Sequence, residues 1–181
     1  MSGAAIETDR LILRNWRFED RWPFAEMNAD PEVMRYFPAT LSRAESDALV
    51  WRIGQHLERH GFGLWAVERK DDQRFLGFCG LARIEFACPI EGDIEIGWRL
   101  ARHCWRKGYA FEAASACLDW VWAHRDFPRI VSMTAEINEP SWSLMRKLGM
   151  EHRPQLDFDH PRIADDSPLK PHVVYVVDRP A

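Results

Sequence analysis

Residues 93–122 constrain the fold more than any other stretch. "DIEIGWRL" alternates Ile94, Ile96, Trp98 and Leu100 with Asp93, Glu95, Gly97 and Arg99. That period of two marks a strand with one apolar and one polar face. After Gly108, the apolar or small residues Ala110, Ala113, Ala114, Cys117, Leu118 and Val121 recur at i, i+3, i+4, i+7, i+8 and i+11. This is one stripe of an α-helix. The period thus switches across a short basic turn, "CWRKG", and the chain must pack a helix back onto the sheet it has just left.

A second unit of the same kind follows. "RIVSMTAEI" is β-branched enough for a strand, and "NEPSWSLMRKLG" reads as a helix with Asn138 at its N-cap and Gly149 as its stop. Upstream, "RLILRNW" reads as a first strand, and "DRWPFAEMNADPEVMRYF" as short helical pieces broken by Pro23 and Pro31. Ser42 and Glu45 form a capping box, and Gly61 closes the helix that they open. "FGLWAVERKDDQRFLGFCGLARI" reads as a hairpin about "KDDQ", and strand-like pieces around "MEHRPQLDF" and "HVVYVV" end the chain. Strands interspersed with helices predict a mixed α/β (α+β) sheet. With 181 residues, no repeats and no pooled linker, the expectation is a single domain over 1–181.

Composition narrows the function. A net charge of −4 supplies no global field for nucleic acid or an anionic membrane, so any basic site is local. Cys79, Cys88, Cys104 and Cys117 have neither zinc-ligand spacing nor disulfide density, which predicts reduced thiols and no metal. "MSGAAIETDR" lacks the apolar run of a leader, and nowhere do about 18 uncharged apolar residues succeed one another. The expected location is the cytoplasm.

The basic turn has a chemical reading. A helix N-terminus offers unpaired N–H groups and the positive end of the macrodipole, and a glycine there removes the Cβ that would keep a phosphate away. Gly108 supplies that opening, Arg106 and Lys107 add charge, Ala110 keeps the first turn slim and Glu112 complements the dipole. A diphosphate suits such a turn. Neither G-x-x-x-x-G-K-[ST] nor G-x-G-x-x-G occurs, which disfavours nucleoside triphosphate and dinucleotide binding.

"EIGWRL", "WRKGYAFEAA" and "NEPSWSLMRKLGM", in that order, resemble the GCN5-related N-acetyltransferases (GNAT), in the branch similar to ribosomal-protein N-terminal acetyltransferases. "ETDRLILRNWRFED", "NADPEVMRYFP", "GFGLWAVERKDD", "DFDHPR" and "HVVYVV" extend the likeness over nearly the whole chain. The resemblance implies a mostly antiparallel sheet split between two parallel middle strands, "DIEIGWRL" and "RIVSMTAEI", with helices on its flanks. It implies acetyl-CoA as cosubstrate, its pyrophosphate on the turn from Arg106 through Lys107, Gly108 and Tyr109 to Ala110. The pantetheine arm would follow the backbone of Ile96, Gly97, Trp98 and Arg99, with Asn138 and Ser141 on the thiol side. Three departures stand out: Trp105 and Arg106 where relatives usually carry Gln or Arg and then glycine, and Met145 where many carry a tyrosine that protonates the thiolate.

Acetyl transfer to an amine needs a proton acceptor, because an alkyl amine with a pKa of about 10 is mostly protonated near neutrality. Glu95 is the candidate base, directly or through water, since strand parity puts it opposite the apolar face. The resemblance places an N–H donor for the carbonyl oxygen near Trp98, and Ser141 is the hydroxyl nearest the leaving thiolate by motif position. Trp16 and Trp65 are candidate walls of an acceptor pocket, and Asp157, Asp159 and His160 candidates for its entrance, an acidic loop that suits a cationic amine. A Ser–His–Asp hydrolase is disfavoured by the missing G-x-S-x-G. The expected partners are acetyl-CoA and a primary amine, on a protein N-terminus or a small molecule, without nucleic acid or membrane. Monomer and homodimer both stay open, and a non-catalytic CoA-binding module is the alternative function, supported by Met145.

Overall fold

The computed structural model describes residues 6–180, so the first five of the ten opening residues lie outside the described residues. Among the described residues no helix is long and apolar enough to cross a membrane. In chain order the elements are β1 (Ile6–Glu7), β2 (Leu11–Arg14), α1 (Arg21–Ala29), α2 (Arg43–His60), β3 (Leu64–Arg69) and β4 (Phe75–Arg83). Then come β5 (Ile94–Leu100), α3 (Tyr109–His124), β6 (Arg129–Ala135), α4 (Glu139–Lys147), β7 (Glu151–His152), β8 (Phe158–Asp159) and β9 (Pro171–Asp178).

The caps explain several boundaries. Ser42 Oγ accepts from the Glu45 N–H, while the Glu45 carboxylate accepts from the Ser42 N–H at 2.7 Å, and α2 ends at Gly61 with φ +67°. Pro23 does not break a helix as expected. It sits in the first turn of α1, where its missing N–H would have had no intrahelical partner anyway. Pro31 does fall in the turn after α1. "MEHRPQLDF" is not one strand either: Pro154 opens a 3-10 turn that divides it into the short β7 and β8.

The sheet runs β1-β2-β3-β4-β5-β6-β9-β7, with β8 also on β9, and every pairing is antiparallel except β5 with β6. One face is covered by α3 and α4 in a continuous core. Cys117 and Val121 of α3 and Met145 of α4 meet Trp65, Cys79, Ile96 and Ile130 from four strands. The opposite face is interrupted. α1 and α2 cover β3 and β4 with Phe24, Met27, Val50, Ala66 and Phe78. A separate cluster of Ile84, Ile90, Val131, Val174 and Val176 covers β6 and β9. Between the two clusters runs β5, which presents Glu95, Gly97 and Arg99 to that face. All four cysteines are free thiols, with Cys79 and Cys117 buried side by side.

A buried ion network holds the start of the chain to this sheet. Arg14 donates through Nε to Glu68 Oε2 at 2.7 Å and through Nη1 and Nη2 to the two oxygens of Asp20 at 2.7 and 2.8 Å. All three side chains are buried. Replacing the guanidinium alone would leave buried Asp20 without its cation and Glu68 with only Arg17, which donates to it at 2.9 Å, and breaking such a buried pair typically destabilises by about 3–5 kcal/mol. Arg14→Met is therefore expected to lower the urea midpoint by that equivalent at an unchanged slope, measured by equilibrium unfolding.

Candidate active site

The site begins where the two parallel strands part. β5 and β6 pair at a single bridge, Glu95 with Val131, whereas β6 and β9 pair along seven positions. Just past the bridge the Ser132 hydroxyl donates to the Ile96 carbonyl at 2.9 Å, and at the far end of β5 the Trp105 indole N–H donates to the Leu100 carbonyl. The carbonyls of residues 96 and 100 thus point away from β4. By the alternation of an extended strand, the N–H and C=O of Trp98 point the same way, into a gap where β6 no longer pairs. A split sheet leaves backbone polar groups open to an extended ligand.

The turn after β5 completes the ligand side. Arg106 lies in the left-handed region at φ +59° and Gly108 at φ +82°, so two positions reverse the chain within three residues. That conformation explains why a glycine suits position 106: a side chain there costs about 1–2 kcal/mol. The first helical bond of α3 runs from the Glu112 N–H to the Gly108 carbonyl, and the backbone N–H groups from Arg106 to Phe111 have no acceptor among the described residues. Arg106 and Lys107 are exposed beside them. A row of free amides, two cations and a glycine fit a diphosphate.

Arg10 braces this turn, a residue the sequence reading did not single out. Its Nη1 donates to the Lys107 carbonyl at 3.0 Å, its Nε to Glu112 Oε2 at 2.6 Å, and its guanidinium lies 4.7 Å over the Tyr109 ring. Glu112 also accepts from the Thr8 hydroxyl and the Arg10 backbone N–H. The carboxylate read as a complement to the helix dipole is thus mainly an anchor for the loop between β1 and β2, and these contacts hold it below the usual carboxylate range despite the opposing effect of burial.

On the interrupted face, Glu95, Gly97 and Arg99 form one row. Glu95 keeps part of its surface open, yet its carboxyl is enclosed by protein. Burial pushes its pKa up to about 7, with the Met133 backbone N–H of β6 drawing it back down. A Cβ built on Gly97 would meet nothing within 4 Å, so the floor beside Glu95 is open. Arg99 makes no ion pair among the described residues. Its Nη1 donates to Asn28 Oδ1 at 2.7 Å, and its guanidinium stacks 4.1 Å from the Phe37 ring centroid.

Asn138 stands at the N-cap of α4 but does not cap it: its side-chain amide donates to Thr134 Oγ1 at 2.8 Å, tying the helix start to the end of β6. Ser141, in the first turn of α4, is half-buried, and its hydroxyl has no partner among the described residues. Met145 is fully buried in the core.

The acceptor candidates divide. Trp65 is 2% exposed on the opposite face, its ring packed edge-on against Trp120, so it cannot wall a pocket beside Glu95. Periodicity marks a face as apolar without saying which layer covers it. Trp16 is held by its indole N–H on the Leu64 carbonyl and by Phe24 and Phe75, again as packing. Asp157 and Asp159 line a groove of about 370 Å³ with Glu136 and His172, although Asp157 is already engaged by the Val174 N–H and by His152. His160 lies among Phe86, Phe158 and His172. Burial, His172 and Arg162 push its pKa down to about 4, so it is neutral near pH 7 and cannot act as a cation there.

The sequence pattern of the acetyltransferase (GNAT) domain matches residues 10–151. An N-acetyltransferase of Bacillus subtilis, YnaD, itself uncharacterised, is 30% identical over 80% of this chain and 81% of its own. A GNAT-family acetyltransferase structure from Bacillus anthracis superposes with a TM-score of 0.79 at 22% identity, covering 99% of both chains. RimL, a ribosomal L7/L12 alpha-N-protein acetyltransferase solved in complex with coenzyme A, does so at 0.77 and 14% identity, over 97% of this chain and 98% of that one. The parallel pair in an otherwise antiparallel sheet, the amide-lined turn before α3 and the match across residues 10–151 carry one conclusion: this chain belongs to the GNAT acetyltransferase family.

Proposed function

We propose that this acetyltransferase moves an acetyl group from acetyl-CoA directly to a primary amine while both are bound, with Glu95 as the base. The observation that carries this is the placement of a carboxyl with a pKa near 7 at the last paired position before the split, facing an open floor. Acetyl-CoA supplies an acyl group already activated as a thioester. The amides from Arg106 to Phe111, with the Arg106 and Lys107 side chains, hold the diphosphate. The Ile96–Arg99 edge receives the pantetheine arm, and the Trp98 N–H stabilises charge developing on the carbonyl oxygen. Glu95 takes a proton from the amine, and a pKa pushed up to about 7 makes it a stronger base than an ordinary carboxylate. Ser141 offers its unpartnered hydroxyl to the departing sulfur, with Asn138 fixing the helix that carries it. Met145, buried, can supply no proton, so solvent completes that step.

The acceptor is an amine on a protein N-terminus or on a small molecule. The acidic groove near Asp157 and Asp159 supports approach of a cationic amine from the β9 side. Thiol release with acetyl-CoA and a panel of amines and N-terminal peptides tests the reaction itself.

Three outcomes are expected. First, kcat/KM should rise with pH through about 7 and level off above it. Glu95→Gln should lower it by about 100- to 10,000-fold and remove that limb, measured by steady-state pH profiles. Second, the folded-state pKa of Glu95 exceeds its ordinary value, so the folded protein binds the extra proton between pH 4.5 and 7. The stability of wild type relative to Glu95→Gln should therefore decline as pH rises through that window, read by denaturation at several pH values. Third, the two left-handed positions should respond in opposite senses. Arg106→Gly relieves a conformational cost of about 1–2 kcal/mol, partly offset by glycine entropy, and should leave stability equal or higher while weakening CoA binding through the lost charge. Gly108→Ala adds a Cβ at φ +82°, 3.3 Å from Arg10 Nη2, and should lower both, as titration calorimetry would show.

A further inference from the structure

Arg99 is the one residue of the β5 row that the reaction as described leaves without a role for its side chain. A guanidinium carries five N–H donors. Among the described residues one of them is used, on Asn28 Oδ1, and Asn28 is itself held by its amide on Ser46 Oγ at 2.9 Å. The Nε of Arg99 is buried with no partner. No carboxylate lies within ion-pair distance among the described residues, unlike Arg14, which two carboxylates satisfy in the same half of the sheet. Phe37 and Phe78 flank the cation at 4.1 and 5.5 Å from their centroids, which orients the planar fork. Burial draws the pKa down to about 10, so the group still carries its charge near neutrality. Buried donors without partners are uncommon in native proteins, and a buried cation without a counterion is more so.

Placement says what the missing partner is. Arg99 and Glu95 share one face of β5, separated by Gly97, with Gly80 of β4 directly across from Gly97. Four residues of extended strand set their Cα atoms about 13 Å apart. The floor between them carries no side chain at either glycine, the α1–α2 segment bearing Phe37 closes one side, and the cluster under β6 and β9 closes the other. A molecule in this trough whose amine lies at Glu95 reaches toward Arg99 with its other end.

We propose that Arg99 is a specificity residue that binds a carboxylate carried by the acceptor, on the same molecule as the reacting amine. The inference rests on the acetyltransferase reading for the amine end and, for the other, on the half-buried guanidinium that no carboxylate pairs and whose Nε has no partner. A planar carboxylate matches the guanidinium edge, whereas a neutral acceptor leaves the cation uncompensated.

Matched acceptors test it. One arm compares free amino acids with the amines left by their decarboxylation: lysine with cadaverine, phenylalanine with phenethylamine. A second compares short peptides with amidated C-termini that differ only in aspartate or asparagine at the second residue. Wild type should prefer the carboxylate-bearing member of at least one pair by about 10- to 100-fold in kcat/KM, through KM of the acceptor. Arg99→Met should collapse that ratio, and Arg99→Lys should restore part of it. A preference in the first arm assigns the carboxylate to a small amino acid, and one confined to the second assigns it to an acidic peptide. A ratio near one in both arms, or a ratio that survives in Arg99→Met, overturns the proposal. Calorimetric titration with the N-acetylated amino acids and acidic peptides reads Arg99 without turnover. Binding to wild type but not to a folded Arg99→Met supports it even if no acceptor releases thiol, an outcome that would sink the catalytic reading alone. Equal binding to both proteins, or to neither, counts against it.

Discussion

Strands β5 and β6 run parallel, meet at Glu95 and Val131, and then separate, and the rest of the site depends on that parting. A sheet gains by continuing its ladder, so a gap persists only where both strands are anchored from elsewhere. β5 is fixed along its whole length by antiparallel pairing to β4, and β6 by seven pairs to β9. The Ser132 hydroxyl on the Ile96 carbonyl closes the sheet just past the bridge, and Asn138 on Thr134 holds the departing helix at the far end. Between those ties the Trp98 backbone is left facing an opening.

Packing sets what lies on either side of this gap. The face under α3 and α4 is one continuous core, so it can supply rigidity but no cleft. The opposite face is divided into two clusters, and the polar row of β5 occupies the division. Enclosure there raises the Glu95 pKa to about 7, and the same enclosure leaves Arg99 a charged group short of partners. A carboxyl that holds its proton more tightly and a guanidinium in need of an anion are two results of one desolvated trough.

The amide-lined turn shows how a distant segment makes a local motif usable. Arg106 and Gly108 adopt left-handed backbone, and Arg10 from the other end of the sheet bonds to the Lys107 carbonyl between them. Glu112, anchored to Thr8 and Arg10, joins the helix start to the β1–β2 loop. The donors of the turn are thereby held in place before any ligand arrives, which lowers the entropy lost on binding.

By itself the sequence determined the strand of residues 94–100, the helix after Gly108, the capping box of α2 and the glycine stops at Gly61 and Gly149. Each follows from periodicity or from φ requirements that act within a few residues. The parity of "DIEIGWRL" also put Glu95, Gly97 and Arg99 on one face. Only the tertiary structure decided which layer covered each face, because burial depends on elements far apart in the chain. Trp65 went to the closed core, Pro154 divided a strand that hydrophobicity alone would have continued, and Arg10, 97 positions from the carbonyl it holds, had no local signal to betray it. Desolvation of Glu95 and isolation of Arg99 belong to the same class. They are properties of an enclosure that residues 28, 37, 78 and 133 build together, and no window of neighbouring residues contains it.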